Sequence, residues 1–186
     1  MQNTISFASS NSSIKTFKTE LFFYGLFEDK KLDKTLDDKV SKAITIESFK
    51  GKYKKKVLVY GDNLSRVIVL GLGKNNEFSN LRAREIGATI ANYANQLGVS
   101  HISLDVKSLR LGNNKIAQSL FEGIVLGNYE FLVYKTVDSK PHSLKKVTVL
   151  GTHDKSNQNL AINIANAVIS KTSENFFTKN IKFRHR

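Results

Sequence analysis

Cysteine and tryptophan are absent from this chain, and proline and methionine occur once each. Without cysteine there is no disulfide framework, no thiolate nucleophile and no zinc–cysteine site, and the reducing cytoplasm is the expected compartment. Long apolar runs are missing too: none approaches the ~20 residues that span a bilayer, so no membrane partner is expected. The first residues, Met1 to Ser13, are polar and hydroxyl-rich. They lack the basic start and apolar middle of a secretory signal. Acidic residues are scarce, 16 against 29 lysines and arginines, which leaves a net charge of +13 and a pI near 9.8. Such an excess raises nucleic acid as a partner, because a basic face gains affinity by releasing condensed counterions. Here the excess is mostly lysine and is spread along the chain, with modest concentrations at Lys50–Lys56 and Lys179–Arg186. Arginine, which clamps phosphate bidentately and reads guanine edges, contributes little.

What is present is enough for one domain: 186 residues, 40% hydrophobic and 24% charged, with a sizeable core. Its organising stretch is Val67 to Lys74, Val-Ile-Val-Leu-Gly-Leu-Gly-Lys. Four apolar residues, three of them β-branched, followed by Gly-x-Gly, read as a strand buried on both faces and interior to a sheet. Gly71 and Gly73 allow a sharp turn or a close approach of backbone or ligand. With Lys74, they are the candidate ligand-binding residues. Two phosphate signatures fail at this turn. A dinucleotide fingerprint needs a third glycine where Asn76 stands; a P-loop needs a glycine at Ile68 and a hydroxyl residue at Asn75. The structural alternative is a strand end that turns on glycine.

Elsewhere the pattern alternates strands with helices. Strands are expected around Ile5 and Phe7, Leu21–Gly25, Val57–Tyr60, His101–Val106 and Val147–Gly151. The Lys54-Lys55-Lys56 run marks a solvated strand entry whose charge discourages edge-to-edge aggregation. Leu32, Leu36, Val40, Ala43 and Ile44 recur at helical spacing behind Asp33, Asp37 and Asp38. Ser79 is the expected N-cap of a helix carrying Ile86, Ile90, Tyr93 and Leu97, stopped by Gly98. Ile116, Ala117, Leu120, Phe121, Ile124 and Val125 form a buried helix ending near Gly127, and Leu160, Ile164, Ala167 and Val168 form a last one. The fold class is therefore α/β: a three-layer α/β/α sandwich with a mixed, mostly parallel sheet. Residues 1–172 are read as the domain and 173–186 as a basic C-terminal tail.

No catalytic constellation accompanies this fold. A two-metal centre needs roughly three or more converging carboxylates. The acidic residues are scattered, and Asp37-Asp38 lie on the polar face of the first helix. His101, His142, His153 and His185 show no ligand spacing. His101, at a strand start, reads as an edge residue rather than a base. No serine occupies a Gly-x-Ser-x-Gly elbow. The aromatic segment Tyr129, Phe131 and Tyr134 beside Lys135 reads as packing rather than base stacking.

Three segments together resemble a known family. Phe49-Lys50-Gly51-Lys52, Arg66-Val67-Ile68-Val69-Leu70-Gly71-Leu72-Gly73-Lys74 and Glu122-Gly123-Ile124-Val125-Leu126-Gly127-Asn128-Tyr129-Glu130-Phe131 with Tyr134-Lys135 are similar, in order and spacing over residues 1–165, to the N-terminal domain of the leucine (cytosol) aminopeptidases. The resemblance implies a macro-domain-like fold that caps a separate catalytic domain in a hexameric, cytoplasmic exopeptidase with two divalent metals such as zinc or manganese. The family's metal ligands and its Asn-Thr-Asp-Ala-Glu-Gly-Arg segment lie in that other domain, and this chain contains no such segment. The expectation is a non-catalytic domain, without catalytic residues, metal or cofactor of its own, that positions and assembles the catalytic domain. The resemblance also implies two alternatives. One is an ADP-ribose-like small-ligand module, although no Asn-Ala-Ala-Asn-like segment is present. The other is a DNA-binding module, as some bacterial members bind DNA. A homo-oligomer is a further expectation.

Overall fold

Six strands and three α-helices alternate in the computed structural model, which describes residues 5–12, 16–31, 38–60, 66–128, 144–151 and 166. In chain order they are β1 (Ser6–Ser10), β2 (Leu21–Phe27), α1 (Asp38–Ile46), β3 (Lys56–Tyr60), β4 (Arg66–Gly73), a 3-10 turn (Asn75–Glu77), α2 (Asn80–Gln96), β5 (His101–Asp105), α3 (Asn114–Gly127) and β6 (Lys146–Leu150). The sheet order is β1-β6-β5-β2-β4-β3. All neighbours run parallel except β3, which pairs antiparallel with β4. Several sequence expectations fall outside the described residues: the helix start at Leu32, Asp33, Leu36 and Asp37, the aromatic segment from Tyr129, the helix Leu160–Val168 except Asn166, the histidines His142, His153 and His185, and the boundary at 172.

Strand periodicity sorts the core onto two faces. On one face Phe23, Ile68, Leu70, Ile102, Leu104, Val147 and Val149 meet Ile86 and Ile90 of α2 and Leu120, Phe121 and Ile124 of α3. On the other, Phe22, Tyr24, Val67 and Val69 meet Val40 and Ile44 of α1. This is the expected three-layer sandwich. Strand β2, and β4 from Val67 onward, are buried throughout because both of their faces are covered.

Helix ends follow their capping chemistry. The Ser79 hydroxyl accepts from the Arg82 N–H at 3.4 Å, and α2 ends with Gly98 at φ +65°. The Asn113 side chain accepts from the N–H groups of Lys115 and Ile116 and starts α3. Helices α2 and α3 pack backbone to backbone through glycine. A Cβ at Gly87 would stand 2.0 Å from the Leu120 carbonyl oxygen, and one at Gly123 would stand 2.0 Å from that of Arg84. Above this contact, Arg84 Nη2 and Nε donate to one Glu122 oxygen at 2.6 and 3.1 Å. Gln118 donates to the other at 3.0 Å. Three amides join the ends of both helices to the approach of β6. Asn95 Nδ2 donates to Asn128 Oδ1 at 2.9 Å, Leu144 N–H to Asn95 Oδ1 at 3.0 Å, and Asn128 Nδ2 to the Leu144 carbonyl at 3.3 Å.

Candidate functional site

The C-terminal ends of parallel strands are where α/β sheets bind ligands, above all where the strand order reverses. Here the chain moves from β2 outward to β4, then crosses back to β5 on the other side of β2. The reversal lies between β2 and β5, with the Gly71–Lys74 strand end beside it.

Gly71 and Gly73 hold a neighbouring loop. Gly71 N–H donates to the Lys55 carbonyl at 2.7 Å, and its own carbonyl accepts from Lys54 N–H at 3.0 Å. Gly73 N–H donates to the Gly51 carbonyl, and its carbonyl accepts from Glu28 N–H, both at 3.0 Å. The backbone groups of both glycines are thus engaged by protein. The space is equally occupied: a Cβ at Gly71 would stand 1.9 Å from the Lys52 carbonyl oxygen and 2.7 Å from Gly51. Gly73 sits at φ +75°, where glycine alone is unstrained. Lys74, the third candidate, is exposed. A ligand at this strand end would therefore meet the Lys74 ammonium, not the glycine N–H groups.

The same loop is anchored from above by α2. Lys52 to Lys55 form a turn closed by Lys55 N–H to the Lys52 carbonyl at 3.0 Å, with Lys54 at φ +60°. Both Lys54 and Lys55 face Gly71, a β-bulge. The Tyr53 hydroxyl donates to Glu85 Oε2 at 2.5 Å, and Lys54 Nζ reaches the same oxygen at 2.9 Å. The Arg82 guanidinium stacks 4.7 Å from the Tyr53 ring centroid and pairs with Glu77 at 2.8 Å. Burial, reinforced by the adjacent carboxylate, pushes the Tyr53 phenol up. The hydrogen bonds from Tyr53 and Lys54 hold the Glu85 carboxyl below its ordinary value. The spacing of aromatic and charged residues in two separate segments carried no signal of this arrangement.

At the reversal itself, the turn after β5 fills the space. Ser108 Oγ accepts from Gly25 N–H at 3.1 Å, and a Cβ at Gly25 would stand 2.9 Å from the Ser108 carbonyl oxygen and 3.0 Å from Leu109. Asp105 accepts from Ser108 N–H at 2.7 Å and shapes the turn. Leu109 and Leu111 are fully buried below it.

His101 lies at the opposite end of the sheet and, contrary to the sequence expectation, not on an edge: β5 runs between β6 and β2. Its Nε2 is 2.8 Å from Thr148 Oγ1, and its ring meets Phe17 edge to face. Burial, with the Lys146 charge nearby, lowers its pKa. Glu20 accepts from Ser100 Oγ at 2.7 Å and His101 N–H at 2.9 Å. Although burial opposes it, these bonds lower the carboxyl pKa. The group is a hydrogen-bonded strand entry. Among the described residues no three histidine or acidic side chains come together as metal ligands. No described helix is long and apolar enough to cross a membrane.

Comparison with known proteins agrees with the topology. The N-terminal domain of the cytosol aminopeptidase family matches residues 24–138. A probable cytosol aminopeptidase of Sulfurihydrogenibium sp. is 29% identical over 152 residues, covering 75% of this chain and 30% of that protein. One from Roseiflexus castenholzii is 31% identical over 136 residues, covering 71% and 27%. Among solved structures, a tomato leucine aminopeptidase mutant superposes with a TM-score of 0.67 at 20% identity, covering 89% of this chain and 36% of that one. The bottromycin maturation enzyme BotP superposes at 0.56 and 18% identity, covering 82% and 31%. The chain spans about a third or less of the length of these relatives.

Proposed function

Because the chain belongs to the cytosol aminopeptidase family, through its N-terminal domain, we propose that its described residues act as a non-catalytic unit that positions and shields a catalytic domain and helps it assemble. The observation that carries this reading is the Gly71–Gly73 strand end, whose N–H groups hold the loop from Gly51 to Lys55. The most distinctive sequence feature of the domain thus builds its framework. A pair of divalent metals needs several converging carboxylates. The described residues do not fit such a centre, so hydrolysis is assigned to the catalytic domain of the family and no step of it to these side chains. The cytoplasm is the proposed compartment.

The test is direct. Purified chain is assayed with leucyl substrates and manganese or zinc, alone and after mixing with the separately expressed catalytic region of a cytosol aminopeptidase. No turnover alone, with altered stability or activity of the catalytic region on mixing, is the expected result. Appreciable turnover by the chain alone would refute the assignment.

Polyanion binding is a second reading, favoured by one observation. Lys50, Lys52 and Lys55 are exposed, as is Lys74, and the Gly73–Gly51 bond brings the two segments together. DNA affinity should then fall steeply with salt. Binding indifferent to salt argues against it.

A further inference from the structure

The β3 edge is self-complementary, and we propose that two copies of this chain associate by pairing β3 antiparallel with itself about a two-fold axis through Leu58. In the ladder with β4, Gly71 N–H bonds the Lys55 carbonyl, and the register continues as Lys56–Leu70, Val57–Val69, Leu58–Ile68, Val59–Val67 and Tyr60–Arg66. Hydrogen-bonded and non-bonded pairs alternate along an antiparallel ladder. Val57 and Val59 are therefore bonded to β4, while Lys56, Leu58 and Tyr60 turn their N–H and C=O groups away from it. Among the described residues β3 is the last strand on this side of the sheet.

Outward backbone groups with no strand beside them among the described residues are a template for another strand, and the side chains select which one. With Leu58 opposite Leu58 of the second copy, Lys56 of each strand falls opposite Tyr60 of the other. Tyr60 is 56% exposed. Lys56 already lies over an aromatic face, 3.5 Å from the Tyr93 ring centroid. Each crossing thus offers a cation to an aromatic ring, twice by symmetry, and the backbone supplies up to about six hydrogen bonds. A register centred on Lys56 instead opposes lysine to lysine and shortens the pairing. The neighbouring β-bulge at Lys54 and Lys55 bends the strand and ends the pairable stretch.

Charge sets the strength. Each copy carries +13, and the Lys54-Lys55-Lys56 run at the start of β3 opposes edge pairing at low salt, so the copies repel, and a five-residue edge buries less than a standard interface. The association is weak and strengthens as salt screens the repulsion. Binding to phosphate has the opposite salt dependence. This pairing does not depend on the role proposed above.

Sedimentation equilibrium of the full chain, at concentrations up to millimolar and at low and high salt, tests it. A monomer–dimer equilibrium that tightens with salt is expected. Tyr60→Lys places lysines opposite one another and should abolish the dimer while leaving the far-ultraviolet circular dichroism unchanged. The double variant Lys56→Glu with Tyr60→Lys restores opposite charges across the two-fold register and should restore the dimer. A wild-type chain that stays monomeric at high salt overturns the proposal. So does a dimer unaffected by Tyr60→Lys, or one that the double variant fails to rescue.

Discussion

Replacing Gly71 by alanine should be among the most damaging single-methyl changes available to this chain. The added Cβ would stand 1.9 Å from the Lys52 carbonyl oxygen, a backbone atom that cannot rotate away. Relief requires the loop from Gly51 to Lys55 to lift from β4. Overpacking of this kind costs about 1–3 kcal/mol. Lifting the loop also weakens the Gly71–Lys55, Lys54–Gly71 and Gly73–Gly51 hydrogen bonds, each worth about 1 kcal/mol. Allowing for overlap between these terms, the total is roughly 3–5 kcal/mol, a large part of the stability of an ordinary domain. Gly98→Ala is the matched control. Gly98 has φ +65° and nothing within 4 Å of its Cβ position, so only the left-handed backbone penalty of about 1–2 kcal/mol applies. Urea unfolding followed by circular dichroism measures both. Equal losses for Gly71→Ala and Gly98→Ala would show that the loop is not seated on the strand and would remove the framework role assigned to these glycines.

Gly123→Ala should cost about 1–3 kcal/mol by driving α2 from α3 at the Arg84 carbonyl, and an unchanged urea midpoint would contradict the backbone-to-backbone packing. The folded state lowers the His101 pKa, so it favours the neutral ring. Stability should be complete above the ordinary histidine pKa near ~6.5 and decline as pH falls from there through the lowered folded value. Unfolding free energies across that range, compared with His101→Gln, should lose this slope in the variant; an identical slope assigns the effect to another group. The Glu20 carboxyl, also lowered on folding, adds a further loss of stability below its unfolded pKa. Alkaline titration of tyrosinate absorbance should find Tyr53 ionising well above the ordinary tyrosine range, and Glu85→Gln should bring it down by removing the neighbouring negative charge. An unmoved titration curve would show that Glu85 does not govern the phenol.

The elements with strong local chemistry were legible in the sequence. The hydrophobic run of β4, the Ser79 cap, the Gly98 stop and the period of α3 each carry their own signal, and the layered α/β class follows from their alternation. The order of strands was not legible, because parallel pairing joins residues distant in sequence: Leu21 pairs with Ile102 and Ser6 with Lys146. His101 was placed at an edge for the same reason. Ser103 is fully buried although its alternation with Ile102 and Leu104 suggests an exposed face, since periodicity does not register a second covering layer. At the candidate site, the glycines announced a close approach but not its partner. That partner is a lysine-rich loop whose composition reads as solvent-facing, and it is held down by Tyr53, Arg82 and Glu85 through contacts that span about thirty positions.

The amide network of Asn95, Asn128 and Leu144 ties the helix pair to the sheet from outside its ladder. Asn128 ends α3 and Leu144 introduces β6, and the bond between them, with Asn95 bridging, clamps the chain where it leaves one element and where it re-enters the next. The register of β6 against β1 and β5 is set downstream of that clamp. Loss of either asparagine amide would therefore loosen β6 against both of its neighbours at once, although neither asparagine lies in the sheet.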